Sequence, residues 1–419
     1  MTLDATSFDA ALKLYYTPDK VQDLTYKSRP FLAMVPKNTE FYGKKMPVPV
    51  YWGNPTGRSA TFSRAQTRGA LTSSSIGEFD VTRVHDYGYI VIDAETMEAS
   101  ENDKGAFMKA RTTEIDGILN SLSNSLANAC WGTGWGNIGQ VASTVTTAKV
   151  ITLLNSSDIV NFEVGQELVA AADVGTSAIR AIAGTNGAII TKIDRSAGTI
   201  TCGAENLSTT FTGGVIANDY LFVRGDRLET APSGVGQMKI SGIAAWIPTV
   251  APTTGDSFFS LDRSKDATRL GGLRFDRTGY PIEEALIDGA VLADREGAEF
   301  DYYFISPKTM GSLIKALGAK VNYVEMQVTP KISFRGLDII GPKNNIRVMA
   351  DRFVPDNLAY GITLDSWELA SLKDTVRILN SDGLEMLRKS DSDSYEVRVG
   401  YYANLVCRAP GHNAVITLA

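Results

Sequence analysis

The stretch FYGKKMPVPVYWGNPTGRSATFSRAQTRGALTSSSIG, residues 41–77, contains no acidic residue. Lys44, Lys45, Arg58, Arg64 and Arg68 give it a local charge of +5, inside a chain whose overall balance is 41 − 47 = −6. Pro47, Pro49 and Pro55, together with glycines 43, 53, 57, 69 and 77 and the Ser and Thr between them, prevent it from forming a packed core of its own. It reads as a long hairpin-like loop that lies on something else, and its unbalanced charge asks for a partner surface.

On the N-terminal side, residues 1 to about 45 alternate short helical patterns (Phe8, Ala11, Leu12, Tyr15, then Val21 and Leu24) with Pro18, Pro30 and Pro36, which predicts an extended arm. On the C-terminal side, Phe79 to Asp93 is rich in Val, Ile and Tyr, and reads as a strand that is apolar on both faces from Tyr87 onward. Asp93, Glu95, Glu98, Glu101 and Asp103 then precede Phe107, Met108, Ile115, Ile118, Leu119, Leu122 and Leu126, whose spacings of three, four and seven mark one helical stripe. The helix is expected from about Glu95 to Ala129, with its acids near the positive end of the dipole.

From residue 141 to about 230 Thr, Val, Ile, Gly and Asp dominate. Ala148–Leu154, Gln166–Ala170, Ala188–Ile193, Thr199–Cys202 and Tyr220–Val223 are strand candidates, and Asp194 to Gly198 is a hairpin turn. This predicts a small all-β domain, barrel or sandwich. An α/β pattern follows: a helix opened by Pro281, a strand Tyr302–Ile305, and a helix opened by Ser306-Pro307 and closed by Gly318. The chain ends with a long half-buried strand, Tyr395 to Cys407, and another at Ala414–Leu418.

A chain of 419 residues suggests about three domains at roughly 150 residues each. The acidic balance excludes a generally basic nucleic-acid binder, and three scattered cysteines (Cys130, Cys202, Cys407) exclude a disulfide scaffold or clustered zinc site. There is no basic leader followed by an apolar run and no stretch of 18 apolar residues, so a soluble protein made in a cytoplasm is expected. Enzyme templates fail for want of residues. Two histidines, His85 and His412, make the usual general base and zinc ligand scarce, and no H-E-x-x-H, P-loop or G-x-S-x-G motif exists. Gly134 to Gly139 matches G-x-G-x-x-G but follows a helical pattern, where dinucleotide binding needs a strand, so it reads as a loose helix exit. Asp391-Ser-Asp393-Ser-Tyr395 begins like a calcium loop but lacks the next ligand and the turn glycine. No catalytic, cofactor-binding or metal-binding residue is expected.

The order arm, acid-free basic loop, long helix, β insertion, α/β unit and C-terminal strand resembles the tailed bacteriophage major capsid proteins of the Hong Kong 97-type fold. The residues carrying it are Lys45 to Gly53, the helix after Ile92-Asp93, Gly242 to Pro248, Tyr303 to Lys308 and Tyr395 to Asn404. The resemblance implies an α+β fold with 1–45 as N-arm, 46–92 as E-loop and start of the P domain, and 93–140 as spine helix and P domain. It places the inserted β domain at 141–235, a connecting P-domain segment at 236–280, the A domain at 281–375 and C-terminal P-domain strands at 376–419. It further implies self-assembly through hexamers and pentamers into an icosahedral virion head, assembled in the host cytoplasm around packaged double-stranded DNA. A scaffolding protein, a portal and a decoration protein are the implied partners. Lys44, Lys45, Arg58, Arg64 and Arg68 are then expected to meet a neighbour's acids, with Asp93, Glu95, Glu98 and Glu101 as first candidates. Some family members cross-link subunits through an E-loop lysine, but no lysine stands between Lys45 and Lys104, so a shell without covalent links is expected. Two alternatives are an encapsulin-like compartment shell and a virion tail or surface β protein binding glycans through residues 141–230.

Overall fold

The computed structural model describes residues 29–94, 104–175, 177–183, 186–203, 206–228, 237–317, 323–329, 332–380, 383–384 and 386–418. Residues 1–28 of the expected N-arm lie outside these residues, and 29–45 lie within them. The fold is mixed α+β and divides into two compact units, each assembled from separated stretches of chain.

The first unit contains residues 84–242 and 372–403 and the described residues of 29–33. Val84–Asp93 runs antiparallel to Ser394–Cys407, from Ser394 opposite Asp93 to Ala403 opposite Val84. Arg377–Ile378 and Leu387–Arg388 pair with the other edge of that long strand. The helix Lys104–Trp131 buries the stripe Ile115, Leu119, Leu122 and Leu126, as its spacing requires. Gly88 lets the helix approach the sheet: a Cβ there would stand 2.7 Å from the Ile118 side chain. The two faces of the strand are not equally covered. Residues 86, 88 and 90 alternate with Tyr87, Tyr89 and Val91, which stay 45–55% exposed.

Six strands of this unit close into an antiparallel barrel in the order 137–140, 220–223, 167–171, 188–194, 199–202, 150–152. The bridge between Val141 and Leu153, with Leu154 N–H donating to Gln140 O at 2.7 Å, joins the first strand to the last. Closure leaves the sheet without a long free edge. Val141, Ile151, Phe162, Leu168, Ile190, Ile200, Phe211 and Leu221 fill the interior. The sheet begins at Asn137, ahead of the expected 141, because the glycine-rich run that reads as a loose exit is a packed turn leading into a strand. Gly134 and Gly136 hold φ of +87° and +80°, and the side chains of Gln237 and Lys239 fill the space beside them. That strand-after-glycine order is opposite to the dinucleotide-binding arrangement.

The second unit contains residues 34–83, 243–371 and 404–419. Its seven-stranded sheet runs 273–276, 414–417, 358–362, 302–305, 345–350, 332–340, 323–329. The pairs 273–276 with 414–417 and 302–305 with 345–350 are parallel, the others antiparallel. The helices Ile282–Arg295 and Pro307–Leu317 contribute Leu286, Ala290 and Leu313 to a core with Phe300, Tyr303, Val348 and Ile416. Glu283 and Glu284 in the first turn and Arg295 in the last complement the dipole of the first of these helices. The Ser306 hydroxyl accepts from Thr309 N–H at 3.2 Å and caps the second. The strand expected at Ala414–Leu418 forms as Ala414–Thr417 and lies inside this sheet, between 273–276 and 358–362. The long strand itself is half-buried only in its first part. Tyr401 and Ala403 to Cys407 are buried on both faces, with Lys37–Asn38 and Trp367–Ser371 completing the sheet around its end.

Candidate assembly surface

The acid-free stretch folds as a two-stranded antiparallel hairpin that belongs to the second unit. Lys45–Gly53 pairs with Ser75–Thr82, from Lys45 opposite Thr82 to Gly53 opposite Ser75, with a register shift between Tyr51 and Gly53. Its root is a core element. Phe79 and Val81 are fully buried, and the Phe79 ring meets Trp246 edge-on at 5.1 Å. Trp246 in turn donates its indole N–H to Leu405 O at 3.0 Å and packs against Phe258 at 5.0 Å. Arg263, 5% exposed, stacks over Phe258 at 4.2 Å, donates to Ala245 O at 2.7 Å and pairs with Asp256 Oδ2 at 2.9 Å.

The tip has the opposite character. Between the strands lies the helix Phe62–Gly69, none of whose residues is buried. Phe62 and Leu71 are each 80% exposed, and Tyr51 and Ile76 are exposed lower on the hairpin. An eight-residue helix this exposed lacks the packing that normally holds such short helices together.

Of the five expected contact cations, Lys45 is paired within its own chain, its Nζ 2.7 Å from Asp80 Oδ2. That bond holds the Asp80 carboxyl below its ordinary range. Lys44, Arg58, Arg64 and Arg68 are exposed, and among the described residues none has an ion-pair partner. Asp93 ends its strand opposite Ser394, and Glu95, Glu98 and Glu101 lie outside the described residues. Residue reading missed the apolar part of the tip; its signal was Phe62, a lone aromatic in a polar helix.

The exposed sheet face of the first unit is a second patch that sequence reading missed. Tyr87 lies edge-on to Tyr402 at 6.0 Å, and Tyr89 donates to Glu396 Oε2 at 2.7 Å. On the opposite face a charge cluster around the buried Lys239 ties five segments together. Lys239 Nζ lies 2.6 Å from Asp86 Oδ2, 3.0 Å from Asp226 Oδ1 and 3.2 Å from Ser125 Oγ. Tyr401 donates to Asp86 at 3.4 Å. Burial works against the Lys239 ammonium, but Asp226 and Asp86 together hold its pKa above the ordinary value. Burial, reinforced by Asp86, pushes the Asp226 carboxyl up to about 6.

Among the described residues the histidines and thiols stand apart from one another. His85 sits in the strand beside the Tyr87 ring at 5.1 Å, and His412 is exposed in a turn. Burial pushes the thiols of Cys202 and Cys407 up to about 12, well away from thiolate chemistry. Among the described residues no group of three His, Cys, Asp or Glu side chains could hold a metal ion, and no helix is long and apolar enough to cross a membrane.

No protein-family model and no curated protein matches the chain. Among solved structures it is similar to the capsid asymmetric unit of cyanophage A-1(L), with 10% identity, 94% of each chain covered and a TM-score of 0.47. It is also similar to a chain of Mycobacterium phage Ogopogo, with 8% identity, 94% of this chain and 93% of that chain covered, and a TM-score of 0.42. A third similarity is to phage G, a structure of gp27 major capsid proteins and gp26 decoration proteins, with 7% identity, 94% and 90% covered, and a TM-score of 0.37.

Proposed function

We propose that this chain is the major capsid protein of a tailed double-stranded DNA phage, a structural subunit that self-assembles into an icosahedral head and is not an enzyme. The observation that carries the reading is the hairpin: a root fixed in the core by Phe79 and Val81, and a tip whose helix buries nothing and whose Arg58, Arg64 and Arg68 have no ion-pair partner among the described residues. Such a tip gains its order from another molecule, and in an acidic chain the matching surface is available on a second copy.

In this reading residues 1–45 form the N-arm, 46–92 the E-loop and start of the P domain, and 93–140 the spine helix. The barrel is the inserted domain, 281–375 the A domain, and the strands of 376–419 complete the P domain. Lys44, Arg58, Arg64 and Arg68 meet a neighbour's acids, with Asp93, Glu95, Glu98 and Glu101 the first to test. The subunit works with a scaffolding protein, a portal and a decoration protein, assembles in the host cytoplasm, and encloses DNA without reading its sequence.

The test is the double variant Arg64→Glu/Arg68→Glu. It is expected to give a folded subunit with the parent's thermal midpoint that no longer forms shells. Shells indistinguishable from the parent's would remove the assigned contact.

A further inference from the structure

We infer that Pro47 and Pro49 close the outer edge of the hairpin to strand addition by a second copy of this chain, so that the hairpin meets its neighbours through side chains alone. The inference stands on the ladder register and does not depend on the capsid reading.

In an antiparallel pair, the N–H and C=O of successive residues point alternately toward the partner strand and away from it. Asp80 N–H donates to Phe259 O at 2.9 Å, outside the hairpin, so the pair Pro47–Asp80 faces outward. By the two-residue period Pro49–Glu78 faces outward too, while Met46, Val48 and Val50 bond inward to Val81, Phe79 and Gly77. Each proline therefore stands where its missing N–H costs the hairpin nothing and removes a donor from the free edge. One position along, at Met46, Val48 or Val50, a proline would break the ladder that holds the hairpin.

The outward positions of this strand are 45, 47, 49 and 51. Two of the four lack a donor, a third carries the charge of Lys45, and the register shift after Tyr51 ends the regular edge. A strand adding here would need donors about every 6.8 Å and would find two successive gaps. The opposite strand is guarded differently, since the Phe259 carbonyl already occupies the Asp80 N–H. Without its prolines the run Met46 to Tyr51 would be an exposed edge rich in Val, which is the form that pairs edge to edge.

The experiment compares full-length parent, Pro47→Val/Pro49→Val, and Pro55→Val as a proline replacement outside the ladder. Size distributions are measured by light scattering at equal concentration, with hydrogen exchange of the amides created at 47 and 49. The double variant is expected to form species larger than any the parent forms under the same conditions, with both new amides protected by about tenfold or more against the dispersed subunit. Pro55→Val is expected to match the parent. A double variant with the parent's size distribution, or with larger species whose amides at 47 and 49 exchange freely, overturns the inference. If the double variant does not fold, Pro49→Val alone is read by the same two criteria.

Discussion

Lys239 shows how much rests on one side chain. It is 6% exposed, and its ammonium faces two carboxylates from segments far apart in sequence, Asp86 lying 153 residues away. Lys239→Met would leave two half-buried acids without their counterion, and is expected to cost about 2–4 kcal/mol, read as a lowered urea midpoint. The same cluster fixes the sign of a pH effect. Asp226 holds its proton more tightly in the folded chain, with a pKa of about 6, than in the unfolded one, so its contribution to stability is present at low pH and is lost as pH rises through that value. Asp80 and Glu396, whose carboxyls are held low, act in the opposite direction, so the comparison must be differential. Asp226→Asn is expected to gain stability relative to the parent between about pH 4 and pH 6.5; a constant difference across that range would contradict the assignment.

At the scale of elements, the hairpin divides into a root that stabilises and a tip that does not. Phe79→Ala is expected to cost about 3–5 kcal/mol in denaturant unfolding, whereas Phe62→Ala should stay within about 0.5 kcal/mol of the parent. Gly88→Val would drive a side chain into Ile118, and a loss of about 1–3 kcal/mol is expected from overpacking. These elements were legible in sequence to very different degrees. The barrel strands at 167–171, 188–194, 199–202 and 220–223 stood out because Val, Ile and Thr runs between turn residues are a local signal. The strand 137–140 was hidden by its glycines, whose left-handed turn is visible only with Gln237 and Lys239 packed beside it. That the face of Tyr87, Tyr89 and Val91 stays exposed was not legible, because composition cannot tell which side of a strand a helix will cover. The Lys239 cluster was invisible, since nothing local links residues 86, 125, 226, 239 and 401.

For the molecule as a whole, the order of segments carried the functional reading, and no motif did. The acid-free stretch was recognisable as a hairpin-like loop from charge and prolines alone, and the structure adds that its tip exposes Phe62 and Leu71 beside the cations. Which acids meet it was not legible, because a contact between copies leaves no periodicity in one chain. With no lysine between Lys45 and Lys104, the shell is expected to run as a single monomer band on denaturing electrophoresis of assembled particles. The central claim, that copies of this chain close into a shell, is tested most directly by negative-stain electron microscopy of the protein expressed alone and with its genomic neighbours. Closed shells, or rings of five and six subunits, are the predicted result; a small monodisperse particle under both conditions would contradict it.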